Sequence, residues 1–266
     1  MTQRASNRRT YRTRVSRFGA IHRALAVLSA AGSLACGATP RDYDVVADFP
    51  HDTSAYTQGF LWHEGWLYES TGRYGHSELR RVELSSGTVA ARHVMPAGRF
   101  GEGLTLLGGK LFQLTWQSHV GYVYDLATLA LVDSFPYQGE GWGLTTDGTH
   151  LIMSNGTAML RFLDPDGFRV VREMRVTDNG SPLTSLNELE YVNGELLANI
   201  YQSDWIVRVS AETGQVLQWI DLIDLLPRRL RAPATDVLNG IALHQPTGNL
   251  LVTGKLWPRV YEIRLR

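Results

Sequence analysis

The sequence predicts an all-β fold, a five-bladed β-propeller whose ring is closed by the N-terminal strand joining the last blade, and three features point there. After residue 40 the chain is a succession of short apolar alternations separated by turns such as HEGW, SSGT, LGGK, TDGT, VNGE, AETG and PTGN. That is strand-and-turn patterning rather than helical periodicity. Five segments then repeat, QGFLW from Gln58, EGLTL from Glu102, WGLTT from Trp142, NELEY from Asn187 and NGIAL from Asn239, at offsets of 44, 40, 45 and 52 residues. Repeats of this length, each holding several strands, are the mark of propeller blades. Finally, the fifth copy is short, and the strand DYDVVADF, Asp42 to Phe49, is free to complete it.

Taken in order, residues 1–36 read as an export signal. They carry seven arginines and no acidic residue, and end in the short apolar run ALAVLSAAGSLAC, Ala24 to Cys36. The run is too short to span a bilayer. Arg8 and Arg9 form the pair a twin-arginine signal uses, although one pair among many arginines says little. Cys36, the single cysteine, stands where a lipid-modified cysteine would, with Ser33 where a lipobox prefers leucine. The expected location is therefore the periplasm, by release or by a lipid anchor at Cys36, or the medium. Residues 37–41 read as a linker and 42–266 as one propeller domain. Without residues 1–36 the chain holds 19 basic against 26 acidic residues, a net charge of −7. Such a body lacks the electrostatic footprint of a nucleic-acid binder.

Within each repeat the geometry is specific. In four repeats a strand beginning with leucine starts nine residues after the first, at Leu67, Leu111, Leu151 and Leu196; the fifth, at Leu250, comes two residues later, matching the longer turn HQPTGN. The first strand of a blade lines the channel and the second runs back antiparallel. The starts of first strands and the ends of second strands thus share one mouth. That brings Gln58, Glu102, Trp142, Asn187 and Asn239 together with Gly72, Trp116, Gly156, Tyr201 and Lys255. The glycines are expected to leave space, and Gly101 and Gly103 to let backbone approach a ligand. Lys255 is one of two lysines against 24 arginines. A compact ammonium whose pKa burial can move has been kept at a pocket.

A carboxylate and an ammonium among aromatic walls suit proton transfer on a small polar substrate, and burial would raise Glu102 toward a general acid/base. The competing reading is a channel carboxylate paired with Lys255 for structure alone. Glu140 and Glu190 are expected to be structural, bound to backbone amides. No thiol nucleophile remains after residue 36, there is no G-x-S-x-G or phosphate loop, and the eight histidines lack ligand spacing. A calcium ion held by Glu102, Glu188 or Glu190 is left open, but no metal or other cofactor is assigned to the chemistry.

The collinear motifs YTQGFLW, YESTGRYGHSELR, FGEGLT, QLTW, VYDLATL, GEGWGLTTDG, LNELEYVNGELLANIY, WIDL, LLP, VLNGIA and VTGKLWPRVYEI resemble the plant- and bacterial-type glutaminyl cyclotransferases from about residue 42 to the C-terminus. The resemblance implies a five-bladed propeller that turns N-terminal glutamine of peptides and proteins into pyroglutamate and releases ammonia, without catalytic zinc. The resemblance places Tyr56, Gln58, Phe100, Glu102, Trp116, Trp142, Asn187 and Lys255 at the positions of the family's pocket motifs. Two positions depart: Tyr56 stands where the family usually has Phe, and Tyr201 where it usually has Trp. On this reading Tyr56, Gln58, Phe100, Trp116, Trp142 and Tyr201 bind the substrate, Glu102 is the acid/base, and Lys255 and Asn187 steady the developing oxyanion. A non-catalytic peptide- or glycan-binding propeller and a metal-dependent lactonase-like propeller are the alternatives. A closed ring needs no partner subunit, so a monomer is expected.

Overall fold

A computed structural model describes residues 42–266. The expectations for the export signal, Cys36 and the linker lie outside the described residues. The described residues form five four-stranded antiparallel sheets and one short hairpin. Strand β1 (Tyr43–Pro50) precedes the first blade, β2 (Thr57–His63), β3 (Trp66–Thr71), β4 (Glu78–Glu83) and β5 (Thr88–Val94). The second is β6 (Gly101–Leu107), β7 (Lys110–Thr115), β8 (Val120–Asp125) and β9 (Leu131–Pro136). The third is β10 (Leu144–Thr146), β11 (Leu151–Met153), β12 (Met159–Leu163) and β13 (Val170–Arg175). A short hairpin, β14 (Thr177–Asp178) and β15 (Ser181–Pro182), leads to the fourth, β16 (Leu186–Val192), β17 (Glu195–Ile200), β18 (Trp205–Ser210) and β19 (Val216–Asp221). One 3-10 turn, Arg228–Leu230, lies before β20 (Leu238–His244), β21 (Asn249–Gly254) and β22 (Arg259–Leu265).

The fifth blade is closed as the sequence suggested. Strand β1 pairs antiparallel with β22, from Tyr43 opposite Leu265 to Pro50 opposite Arg259. Clasping the first strand to the last makes ring opening cost a whole strand pairing. The core lies between blades. Leu104 and Leu111 of the second blade pack with Leu61, Tyr68 and Leu79 of the first, and Ile152, Leu160 and Phe162 of the third with Leu189, Leu196 and Val207 of the fourth. Each strand therefore buries both faces where it is sandwiched, which explains the continuous buried runs in β2, β6 and β20.

Glycines let the innermost strands come this close. A Cβ on Gly59 would strike the Leu104 backbone, one on Gly103 the Leu144 amide and the Trp142 carbonyl, and one on Gly143 the Asn187 carbonyl. Gly101 likewise lies against the Thr71 carbonyl. The glycines flanking Glu102 thus serve contact between blades.

Candidate functional site

One local device recurs at the mouth. The innermost strands of four blades break register near their start, between Thr57 and Gly59, Gly101 and Leu104, Leu186 and Leu189, and Leu238 and Ile241. Gln58, Glu102, Asn187 and Asn239 fall inside these irregularities, and a bulge re-aims the side chain it carries. In the third blade the innermost strand begins at Leu144, so Trp142 precedes it instead of opening it. Its N–H still donates to the Ser154 carbonyl at 3.1 Å, extending the pairing. The second strands end one residue short of Trp116, Tyr201 and Lys255.

Together these positions frame a cavity of about 250 Å³ lined by Tyr56, Gln58, Phe100, Glu102, Trp116, Trp142, Asn187, Tyr201 and Lys255. All nine are residues expected at the site from the sequence. The repeat spacing also brings Asn239 and two glycines to the mouth, and these do something else. Asn239 is fully buried and donates from Nδ2 to the Thr57 carbonyl at 2.9 Å and to Gln58 Oε1 at 3.3 Å. The space beside Gly72 is filled by the Phe100 ring and that beside Gly156 by the Trp142 ring, so neither is empty.

The aromatic walls form a collar. Tyr56 meets Phe100 edge-on at 6.2 Å between ring centroids, Phe100 meets Trp116 at 5.7 Å, and Trp142 meets Tyr201 at 5.3 Å. Two gaps remain, and a charge bridges each. Lys255 Nζ sits 4.9 Å from the Tyr56 ring and 5.2 Å from the Tyr201 ring, in cation–π range of both. Opposite it, one oxygen of Glu140 accepts the indole N–H of Trp116 at 2.8 Å and that of Trp142 at 2.9 Å. Glu140 therefore binds side chains of the pocket wall. The backbone-amide role expected for it belongs to Glu190, whose carboxylate accepts the Leu243 N–H at 2.8 Å.

Glu102 occupies the interior, 5% exposed. Its Oε1 accepts the Gln58 amide N–H at 3.1 Å. The orientation of that amide follows from its other end, where its oxygen takes the Asn239 donor. Burial pushes the Glu102 carboxyl well above the usual carboxylate range; Lys255 works against this and Glu140 adds to it. Burial likewise pulls the Lys255 ammonium below its ordinary value, against the pull of Glu102 and Asp236. Yet among the described residues no ion pair joins Glu102 to Lys255. That absence weakens the reading of the two as a structural pair. A buried carboxyl with one neutral partner, kept near neutrality, can exchange a proton with whatever fills the cavity.

Glu188 is spent on the fold. Its two oxygens accept the backbone N–H groups of Phe60 at 3.3 Å and Ile241 at 2.8 Å. Among the described residues no three His, Cys, Asp or Glu side chains cluster as a metal site.

A model of the family described as glutamine cyclotransferase matches residues 20–265. Among curated proteins, the glutaminyl-peptide cyclotransferase of Arabidopsis thaliana is 46% identical over 229 residues, covering 85% of this chain and 72% of that protein. Among solved structures, the glutaminyl cyclase of Myxococcus xanthus superposes with a TM-score of 0.77 at 36% identity, over 84% of this chain and 96% of the other.

Proposed function

The chain belongs to the glutamine cyclotransferase family, and on that footing we propose that it cyclises the N-terminal glutamine of peptides and proteins in the collar, with Glu102 as general acid/base. The observation that carries the assignment of Glu102 is its place. It is a buried carboxyl on the cavity wall, bound by the Gln58 amide and, among the described residues, held in no ion pair.

The substrate's α-amine nitrogen attacks its own side-chain amide carbon, and the new C–N bond closes a five-membered ring. The barrier depends on holding a bent conformer, which a cavity of about 250 Å³ walled by aromatic rings favours. As the bond forms, the amine proton passes to Glu102. The same carboxyl returns a proton to the departing amide nitrogen, the old C–N bond breaks, and ammonia leaves. Charge gathers on the amide oxygen between attack and departure. The Lys255 ammonium and the Asn187 amide, both on the cavity wall, supply donors for it. Gln58, held by Asn239, orients Glu102 and leaves its other oxygen free for the substrate.

The test is mass spectrometry of a Gln-initiated peptide with the protein in EDTA, against spontaneous cyclisation. A loss of about 17 Da catalysed by the parent and reduced ~1000-fold in Glu102→Gln is expected. Full activity in Glu102→Gln sinks the assignment, and dependence on metal would favour the lactonase-like alternative. The export reading belongs to the same proposal, supported by the arginine-rich start and the apolar run before Cys36. The mass of the mature N-terminus from a periplasmic extract tests it: an uncleaved chain contradicts export, and a diacylglycerol adduct on Cys36 marks the anchored form.

A further inference from the structure

Glu140 lies outside the cavity-lining set, on the loop that carries the chain from the second blade to the third. That loop is fixed at several points independent of Glu140. The Gly141 N–H donates to the Trp116 carbonyl at 3.0 Å, Arg161 Nη1 donates to the Gln138 carbonyl at 2.6 Å, and His119 Nδ1 bonds the Gly139 carbonyl at 2.7 Å. Gly139 takes a φ of +79°, a backbone angle that favours glycine. The carboxylate at its tip is thus held where its position matters. One oxygen receives both indoles, and the other accepts the Gln117 amide at 2.9 Å.

The two indoles come from different blades, and the Gly141–Trp116 bond ties their backbones without fixing the side-chain torsions that set the rings. Trp116 follows β7 and Trp142 precedes β10. An indole N–H only donates, and on a pocket wall it needs an acceptor. A shared acceptor fixes the tilt of both rings relative to one point. Two separate acceptors would let each ring choose its own.

We propose that Glu140 is a positioning residue for the cyclisation: by taking both indole N–H groups on one oxygen it closes the collar and sets the faces of Trp116 and Trp142 that hold the glutamine side chain bent. This rests on the reading of the cavity as the cyclisation site. The carboxylate has a second effect, through its charge. Burial pushes the Glu140 carboxyl up, but hydrogen bonds from Gln117, Trp142 and Trp116 outweigh that and keep it below its ordinary value, so it is anionic at neutral pH. The ionisable groups facing Glu102 are Lys255, Glu140 and Tyr137. Burial pushes the Tyr137 hydroxyl up to about 12, so it stays neutral. Glu140 is therefore the anion that favours the protonated form of Glu102, and Lys255 the cation that opposes it.

Two variants separate position from charge. Glu140→Ala removes the acceptor and the charge; Glu140→Gln keeps a carbonyl oxygen for the indoles and removes the charge, together with the acceptor for Gln117, an exposed amide that can turn to solvent. Steady-state cyclisation of a Gln-initiated peptide is measured across pH, with tryptophan emission and thermal midpoint followed in parallel. For Glu140→Ala the expected result is a KM raised about 10-fold and a kcat lowered about 10-fold, with red-shifted emission, because misplaced walls cost both binding and orientation. Glu140→Gln is expected within about 3-fold of the parent in KM, with the acidic limb of its pH profile displaced to lower pH, since Glu102 then ionises more readily. Parental kcat and KM in Glu140→Ala would overturn the proposal. So would equal losses in both variants with a lowered thermal midpoint and an unmoved limb, which mark damage to the fold. A parent protein that cyclises nothing would sink the reading of the cavity itself, a distinct result from either.

Discussion

Strand β2 touches two buried ionic groups, and they are treated in opposite ways. Gln58 reaches Glu102, whose carboxyl is pushed up while the Lys255 ammonium nearby is pulled down. One residue earlier, the Thr57 hydroxyl donates at 2.7 Å to Glu69, which also takes His51 Nε2 at 3.0 Å. His51 Nδ1 faces the Trp257 carbonyl at 2.8 Å, so both ring nitrogens face acceptors and the ring is held as imidazolium. Arg80 Nη1 lies 3.9 Å from Glu69 and 2.9 Å from Asp52, and its Nε is 2.8 Å from Glu78. Burial works against the charge on His51, yet Glu69 and the Trp257 carbonyl raise it overall; burial works against Glu69, yet His51, Arg80 and Thr57 lower it overall. In the pocket, burial moves acid and base toward neutrality. In the network, partners move them apart. The difference is direct contact: ions that touch stabilise the charged forms, and ions kept apart keep their protons negotiable.

The comparison breaks most sharply with Glu102→Gln. Turnover should fall ~1000-fold while the thermal midpoint stays level or rises, because no paired charge is lost. A midpoint that drops by several degrees would place Glu102 with the structural groups. The reverse holds for Glu69→Ala. Removing one partner from a buried pair costs about 3–5 kcal/mol, roughly 10 °C in a domain of this size, with kcat changed by less than about 3-fold. Calorimetry and peptide turnover on the same preparation check both halves. That stability is also bounded in pH. It is fully present above about pH 4.3 and below about pH 6.5, the unfolded values of a glutamate and a histidine. It fades as pH falls through the lowered value of folded Glu69 or rises through the raised value of folded His51. The gap in thermal midpoint between parent and Glu69→Ala should narrow at both ends.

Lys255 gives the finest distinction. Lys255→Met should lower kcat about 100-fold and move the acidic limb of the profile to higher pH, since the ammonium favours ionised Glu102. Lys255→Arg should also fall short of parental turnover, because a guanidinium fork would lock onto the carboxylate and turn the pocket into a second salt bridge. Full turnover with Arg would remove the distinction drawn between the two regions.

How much of this was legible in the sequence follows from how each part is encoded. The blades were legible because four of five copies share one nine-residue offset between strand starts and the fifth departs only by a longer turn, and that last, truncated copy called for β1. The mouth was legible for the same reason: Gln58, Glu102 and Asn187 occupy one register position in three blades. What escaped was contact between copies. Glu140 sits between strands, where no repeat position constrains it, and its partners are 24 and 2 residues away. The signal available was a pair of indoles in need of acceptors near a carboxylate in GEGW. Lys255 between two tyrosines was equally hidden, since the contact joins the fifth blade to the first and fourth. His51 was one of eight scattered histidines; nothing in its neighbourhood announces Glu69, 18 residues on.

The Glu188 carboxylate crosses from the fourth blade to bind backbone of the first and fifth, and it is wholly buried. Glycine-mediated backbone contacts join the innermost strands of the first four blades to one another. One carboxylate thus rivets three blades together where bare backbone meets backbone elsewhere, and the ring that frames the pocket draws its curvature from both devices.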